Sequence, residues 1–147
     1  SLRFPQTLVG TTLLGTAPVT SLEWRTLEKD TAKTTITGFQ KGATRSFQIN
    51  SRPEEIARVT VFGFDSDVHA KAFVKELTTR KLPKMALPPD LNSLGIAVDV
   101  TEYEILEFRG AKGNRSIDIL MLSPFGKTNK AAAKKDLIEL AKQLMAL

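Results

Sequence analysis

The chain has no cysteine and only one histidine among its 147 residues. The first absence excludes disulfide bonds, thiol nucleophiles and thiolate metal sites. The second leaves His69 as the one imidazole, whereas a zinc site normally needs several histidine, cysteine or carboxylate ligands. His69 follows Asp67 at the start of a helical pattern, where a solvated or capping role is expected. We therefore predict no metal site, and we predict no cofactor.

Long hydrophobic runs are also lacking. No apolar stretch approaches the roughly 20 residues that span a bilayer, so we predict no transmembrane segment. No basic segment followed by an apolar one marks a signal peptide within the chain as given. Because the chain begins at Ser1 rather than methionine, we expect that a signal sequence or a lipid anchor has been removed from its N-terminus.

Positive charge exceeds negative charge, and the net charge is +5. The cations are spread along the chain, without the blocks of about five or six like charges that are typical of interaction tails. This spread weakens the case for nucleic-acid binding, although a basic protein is attracted to anionic surfaces. The sequence does not identify the partner. We consider an anionic component of the cell envelope or another protein, with nucleic acid as the alternative.

The first half of the chain predicts an arm followed by a strand–strand–helix unit. Residues 1–33 form the arm, in which Ser21 caps a short helix and Trp24 is an anchor in the core. Residues 34–81 form the first unit, with a turn at Lys41-Gly42. The predicted elements of this unit are strands at 34–40, 45–50 and 56–64, capping residues at 65–67 and a helix at 67–80.

The second half predicts a connector and a second unit of the same order. Residues 82–95 are rich in proline and also in apolar side chains, so we expect them to pack on the domain. Residues 96–147 form the second unit. Its elements are one long or two short strands at 96–108 with a bulge near Thr101, a hairpin loop at 110–114, a strand at 115–122 that is apolar at nearly every position apart from Asp118, and a helix at 127–147 capped by Thr128 or Asn129.

These patterns together predict an α+β protein with a mainly antiparallel sheet. Each unit contributes strands and then a helix, and we expect both helices to pack on one face of a shared sheet. Neither half alone would cover a sheet. We therefore interpret residues 1–147 as a single domain.

Cations concentrate at one turn. Arg109, Lys112 and Arg115 flank the glycines of the 110–114 loop and are the best candidates for binding a small anionic ligand. A Walker phosphate loop would join a strand to a helix with a different spacing. The loop predicted here joins two strands, so a simple turn is the competing interpretation.

The densest acidic stretch comprises Asp99, Glu102, Glu104 and Glu107. Paired carboxylates serve acid–base chemistry or bind hard cations, but this spacing lacks the calcium-loop pattern. We interpret the stretch as the solvated face of an edge strand. An enzyme would require these carboxylates to converge in a pocket. We identify no catalytic residues and predict that the protein is not an enzyme.

The N-terminal motif Phe4-Pro5-x-x-Leu8-x-Gly10 resembles the opening of small extracytoplasmic proteins and lipoproteins of actinobacteria. In those proteins a signal and tether precede a compact α+β module of unknown function. The resemblance implies a secreted or surface-anchored module without enzymatic activity, and it assigns no functional residues.

The sequence thus favours a non-enzymatic binding or sensing module outside the cytoplasm, which is either secreted or anchored to the cell envelope. The alternative is a small basic cytoplasmic protein associated with nucleic acid, because the chain is rich in cations. The ligand is unknown in both cases.

Overall fold

The computed structural model describes residues 3–28, 35–100, 105–123 and 129–147, and all structural statements concern these residues. The elements are β1 (Thr11–Pro18), α1 (Ser21–Leu27), β2 (Phe39–Ile49), β3 (Ile56–Phe64), α2 (Asp67–Lys75), a 3-10 helix (Glu76–Arg80), β4 (Lys84–Met85), α3 (Pro89–Asn92), β5 (Gly95–Val100), β6 (Ile105–Lys112), β7 (Arg115–Leu122) and α4 (Lys130–Met145).

The described strands form one antiparallel sheet in the order β1-β2-β3-β7-β6-β5-β4. The two halves of the chain meet at its centre, where β3 pairs with β7 and Val59 lies opposite Ile119. This arrangement confirms an α+β fold with one shared antiparallel sheet. The apolar character of β3 and β7 follows from their position, because a central strand is covered on both faces.

The two faces of the sheet differ in chemistry. Successive side chains of a strand point to opposite faces. One set packs under α4, and we call it the apolar face: it comprises Ala57, Val59, Val61, Ile117, Ile119, Met121, Leu106 and Phe108. The other set lies under α1 and α2, and we call it the charged face: its central positions are Arg58, Thr60, Phe62, Ser116, Asp118, Leu120, Glu107 and Arg109.

The helices α2 and α4 therefore pack on opposite faces of the sheet, which corrects the expectation that they share one. Phe73 of α2 clusters with Phe62 and Phe64, whereas Leu137 of α4 clusters with Ile119 of the opposite set. The physical reason is that the central strands carry apolar side chains on both faces. Each face then needs its own covering layer to exclude water.

The apolar face is filled along its length by α4. Asn129 caps this helix by accepting a hydrogen bond from the main-chain N–H of Ala132 at 3.1 Å, as one of the two predicted caps. The buried stripe of the helix lies against the sheet and consists of Ala133, Leu137, Leu140, Ala141, Leu144 and Met145. Burying a large aliphatic side chain contributes roughly 1.5–3 kcal/mol, so this stripe is a main source of stability.

The N-terminal part differs from the prediction. The region expected as an extended arm contains β1, an edge strand that pairs with β2. The cap of α1 is Thr20 rather than Ser21. The Thr20 hydroxyl accepts a hydrogen bond from the main-chain N–H of Glu23, and the Glu23 carboxylate accepts one from the main-chain N–H of Thr20. This reciprocal capping box satisfies two otherwise unpaired N–H groups.

The turn predicted at Lys41-Gly42 does not exist, because both residues lie within the single long strand β2. The register between β2 and β3 shifts between Phe39 and Lys41, which is the signature of a β-bulge. The glycine that suggested a turn is instead tolerated inside the strand beside a bulge. The predicted strand at 34–40 thus overlaps β2 only at its end, and residue 34 lies outside the described part.

The connector at 82–95 packs on the domain. It forms β4 and α3, and Leu91 is buried in the same cluster as α4. Residues 96–108 include two strands that pair with each other, β5 and β6. The bulge predicted near Thr101 lies outside the described residues.

Candidate functional site

The charged face places unlike residues side by side in two rows across the sheet. The β3–β7 and β7–β6 registers align Arg58, Leu120 and Glu107 in one row. The next row aligns Thr60, Asp118 and Arg109. Neighbours across strands on one face are about 5 Å apart at Cβ, so these side chains interact directly.

Arg109 is the centre of this face and is completely buried, with 0% of its surface exposed. Its Nε donates to Asp118 Oδ2 at 3.0 Å, and its Nη2 donates to Glu28 Oε2 at 3.0 Å and Glu107 Oε2 at 3.3 Å. Its Nη1 donates to the main-chain carbonyl of Phe73 at 3.1 Å. One guanidinium therefore ties β6 to β7, α1 and α2.

The Phe73 ring also stacks on this guanidinium, with its centroid 4.2 Å from the Arg109 Cζ atom. Burial by itself lowers the pKa of Arg109, but the attraction of Asp118, Glu107 and Glu28 outweighs it, and the pKa is raised. The residue is therefore always charged. Because a buried charge is costly unless paired, the surrounding carboxylates are required for its presence.

Further ion pairs extend from Arg109 toward the helices. Arg25 of α1 bonds Glu28 at 3.0 Å and Glu76 at 2.8 Å, and Arg80 bonds Glu107 at 3.2 Å. Burial lowers the pKa of Arg25, but the bonds to Glu76 and Glu28 raise it overall. We call these groups the arginine–carboxylate network; its described members are Arg25, Arg80, Arg109, Glu28, Glu76, Glu107 and Asp118.

Asp118 is the deepest acid of the network, with 0% of its surface exposed. Burial raises its pKa well above the usual range, and the nearby Glu107 raises it further, although Arg109 acts in the opposite direction. Its Oδ1 has no hydrogen-bond partner among the described residues. A neutral Asp118 leaves the network with three guanidinium groups and three carboxylates, so protonation balances its described charges.

A cavity of about 430 Å³ adjoins this network. It lies over the first residues of β3 and β6 and the last residues of β7, and its described wall consists of Trp24, Leu27, Glu28, Arg58, Arg80, Val100, Ile105, Glu107, Leu120 and Leu122. The helix α2 is too short to cover the whole length of the central strands. Its nine residues correspond to about 14 Å, whereas the eight residues of β7 extend about 27 Å. After α2 the chain turns toward β5, where Leu77 packs on Val98 and Val100.

Among the described residues that line it, the cavity combines apolar walls with one cation that has no partner. Glu28 and Glu107 are already bonded to arginines. Within the described part of the chain, Arg58 has no ion-pair or hydrogen-bond partner. Trp24 packs edge-on against Phe62, with ring centroids 4.9 Å apart, and its buried Nε1 has no acceptor among the residues that the structure describes. The site can therefore receive an apolar group and an acceptor or acid.

The three cations predicted to act together do not form one site. Arg109 lies on the charged face, whereas Lys112 and Arg115 lie at strand ends on the side of α4, because alternate residues of a strand face opposite ways. Lys112 donates to the Met145 carbonyl at 3.1 Å, and Arg115 donates to that of Leu144 at 3.3 Å. Both thus contact the negative end of the α4 dipole.

The predicted acidic stretch is also divided. Asp99 pairs with Lys130 of α4 at 3.0 Å, on the apolar side of the sheet, while Glu107 points to the charged face. Glu107 is 2% exposed in an interior strand, so the interpretation as the solvated face of an edge strand is wrong for this residue. Glu102 and Glu104 lie outside the described residues.

His69 lies at the start of α2. Its main-chain N–H bonds the Ser66 hydroxyl at 3.2 Å, and its Nδ1 lies 2.6 Å from Asp65 Oδ1. The hydrogen bond with His69 is the main cause that lowers the pKa of Asp65. No group of three or more acidic or histidine side chains among residues 3–28, 35–100, 105–123 and 129–147 has the geometry of a metal site.

Comparisons with known proteins give the fold and no family. No family model matches the chain, and no curated protein matches it. The crystal structure of the extracellular domain of PknH from Mycobacterium tuberculosis is similar, with a TM-score of 0.58, 13% identity, and coverage of 94% of this chain and 86% of that chain. At this identity the likeness concerns the fold alone.

The resemblance of residues 4–10 to actinobacterial lipoproteins gains no support from a family model or a curated relative. None of the described helices is long and apolar enough to cross a membrane.

Proposed function

We propose that this chain is a ligand-binding module that acts outside the cytoplasm, without catalytic chemistry of its own. The observation that carries the proposal is the cavity of about 430 Å³ that is lined by Arg58, a residue without an ion-pair partner among the described residues. Ligand sites are typically concave, mainly apolar spaces of roughly 300–1,000 Å³ with a few polar groups that orient the ligand. The cavity has this size and composition.

The ligand that fits best is an amphipathic molecule with an acidic group. Leu27, Leu120 and Leu122 offer contact to an apolar chain. Arg58 offers a planar set of donors that suits a carboxylate or phosphate. The described carboxylates of the cavity wall, Glu28 and Glu107, are bonded to arginines, so they would not repel this acid as strongly as free carboxylates would.

The location outside the cytoplasm rests on two supports. The similar solved structure is described as an extracellular domain, and the motif at residues 4–10 resembles secreted and lipid-anchored proteins. We propose that the chain is secreted or anchored to the envelope by a segment upstream of Ser1. The gene sequence upstream of Ser1 tests this: a signal peptide or a lipid-attachment cysteine is expected, and a cytoplasmic start would contradict it.

Trp24 provides the test of binding, because it is the only tryptophan and belongs to the cavity wall. Decanoate, decanol and decyltrimethylammonium are titrated while the tryptophan fluorescence is recorded, below their aggregation concentrations. We expect saturable changes with decanoate, weaker binding of decanol, and the weakest binding of the cationic probe. No saturable change with any of the three would contradict the cavity as the ligand site.

The variant Arg58→Gln assigns the acid-binding role. It should weaken decanoate binding about tenfold and leave decanol binding within twofold, because a charge-assisted hydrogen bond contributes about 1.5–3 kcal/mol. Lys71→Gln, on the exposed side of α2, is the matched control with the same change of net charge. Equal losses in both variants would show that decanoate responds only to overall charge.

A further inference from the structure

A second concave site lies at the other end of the sheet, where β3 ends and the β6–β7 hairpin turns. Its volume is about 410 Å³. The site lies between the start of β2, the end of β3, the β6–β7 hairpin and the C-terminal end of α4. It is separated from the cavity beside Trp24 by the length of the central strands. A ligand here would leave that cavity free.

The wall of this site carries four cations, Arg3, Lys41, Lys112 and Arg115, and none of the described residues that line it is acidic. Like charges that line one concave site repel each other unless a counter-ion is present. The site therefore differs from the arginine–carboxylate network, in which the described guanidinium groups face carboxylates. Its electrostatic potential favours an anion.

Arg115 is the most informative of the four, because it is only 9% exposed and has no carboxylate side chain as partner in the described part of the chain. It donates to the main-chain oxygens of Arg3 at 3.0 Å, Leu144 at 3.3 Å and Leu147 at 3.3 Å. Even a terminal carboxylate at Leu147 would offset only one of four positive charges. A buried cation held by neutral carbonyls is incompletely compensated.

The surroundings of Arg115 disfavour its positive charge. Burial lowers its pKa, and repulsion from Arg3 lowers it further. The carbonyl partners fix the orientation of the guanidinium, while Lys112 is held by the Met145 carbonyl at 3.1 Å. Two of the four cations are therefore positioned by the fold before any ligand arrives.

We propose that this pocket, formed by Arg3, Lys41, Lys112 and Arg115, binds a phosphate or sulfate group. Tetrahedral oxyanions accept several hydrogen bonds at once, which matches a set of lysine and arginine donors around one concave site. The group can belong to a free ion or to an anionic lipid headgroup. In both cases the pocket binds a negatively charged oxyanion through several hydrogen bonds.

Binding is tested by titrating the ¹⁵N-labelled chain with sodium phosphate and sodium sulfate at constant low ionic strength. We expect saturable shifts in the amides of Lys41, Gly113 and Asn114, and no comparable shifts with chloride. The absence of saturable shifts in these amides for both oxyanions would overturn the proposal. Shifts spread evenly over all exposed lysines would overturn it equally, because they would show only general screening.

The double variant Lys41→Gln, Lys112→Gln should weaken oxyanion binding by at least about tenfold. Lys134→Gln, Lys135→Gln on the exposed side of α4 is the matched control, because it removes the same charge elsewhere. The backbone spectrum reports whether either variant remains folded, and Lys41→Gln alone serves if the double variant does not. Equal weakening in test and control variants would overturn the proposal.

The source of the oxyanion is distinguished with vesicles. The wild type and both double variants are sedimented with phosphatidylglycerol vesicles and with phosphatidylcholine vesicles. Binding to the anionic vesicles that is lost only in the Lys41, Lys112 variant indicates a lipid headgroup. Site-specific phosphate binding without vesicle binding indicates a soluble ligand, and both results support the oxyanion site.

Discussion

The two faces of the central sheet are built from the same strands but from different chemistry. Under α4, alternate residues of β3, β6 and β7 are aliphatic or aromatic and form one continuous cluster. Under α1 and α2, the intervening residues include Arg109, Glu107 and Asp118, all buried. The apolar face shows that this chain can fill a sheet face with hydrocarbon, so nothing in the fold forces charges onto the other face.

The difference has an energetic meaning. Burial of an aliphatic side chain stabilises the fold directly, whereas a buried ion pair returns little net free energy after desolvation. The charged face therefore has less stability to gain from its side chains than the apolar face. It also carries the cavity of about 430 Å³ next to its charges, and we infer that this face is arranged for binding as well as for folding.

The strongest test of this comparison is to remove the central guanidinium. Arg109→Met leaves Asp118, Glu107 and Glu28 without their shared partner. We expect a loss of about 3–5 kcal/mol in the free energy of unfolding, because an uncompensated buried charge is strongly destabilising. Urea denaturation followed by circular dichroism measures it.

A matched triple variant separates charge from packing in that experiment. Arg109→Met with Glu107→Gln and Asp118→Asn replaces the two most deeply buried acids by amides of similar volume, while Glu28 keeps its pair with Arg25. We expect it to recover at least half of the lost stability. If Arg109→Met alone costs under about 1 kcal/mol, the network does not hold the helices to the sheet.

Asp118 gives the second test, through pH. Its pKa is raised above the ordinary value of 3.8, so between that pH and its folded-state pKa the native state holds a proton that the unfolded state has released. The stability contributed by neutral Asp118 is therefore complete below about pH 4 and is lost as the pH rises. Asp118→Asn lacks this dependence.

We therefore expect the difference in unfolding free energy, variant minus wild type, to increase from pH 4 to pH 9. Urea denaturation at several pH values measures it, and the other titrating groups largely cancel in the difference. The effect should be smaller than that of Arg109→Met, because the asparagine oxygen can still accept from the Arg109 Nε–H. A difference that is constant with pH would show that Asp118 is ionised in the native state throughout.

The contrast between faces also shows what the sequence could and could not reveal. The strand pattern predicted the α+β class and the shared antiparallel sheet, because β-branched runs and glycine-bearing turns are local signals. The face of each helix is not local. The repeated strand–helix order favours both helices on one face. A two-fold axis normal to the sheet would give that arrangement, because it exchanges the antiparallel strands β3 and β7 and leaves each helix on its face.

A signal for helices on both faces is that β3 and β7 carry large apolar residues in neighbouring positions, such as Val61 and Phe62 or Ile119 and Leu120, which requires a covering layer on both faces. Strand β7 holds a second signal in Asp118, a charged residue between the apolar neighbours Ile117 and Ile119. Closeness in sequence groups its partner Arg109 with Lys112 and Arg115. Strand alternation sends Arg109 to the other face.

A conservative substitution on the apolar face tests how much that face contributes to the free energy of unfolding. Ile119→Val removes one methylene beneath α4, where Ile119 is fully buried. We expect a cost of about 0.5–1.5 kcal/mol, from lost transfer free energy and a small cavity. Urea denaturation measures it at pH 5 and pH 8, and the cost should be equal at both because no titrating group is involved. A cost that varies with pH would mean that the two faces are coupled through the sheet.

The smallest effect on stability is expected at Arg58, a half-buried residue in the wall of the cavity. It has no described ion-pair partner, so Arg58→Gln should change the unfolding free energy by no more than about 0.5 kcal/mol, as for most surface substitutions. Ile119→Val should show the opposite combination, a measurable loss of stability with unchanged decanoate binding. A large stability loss in Arg58→Gln would place this residue with the structural charges of Arg109, and the binding interpretation of the charged face would lose its main support.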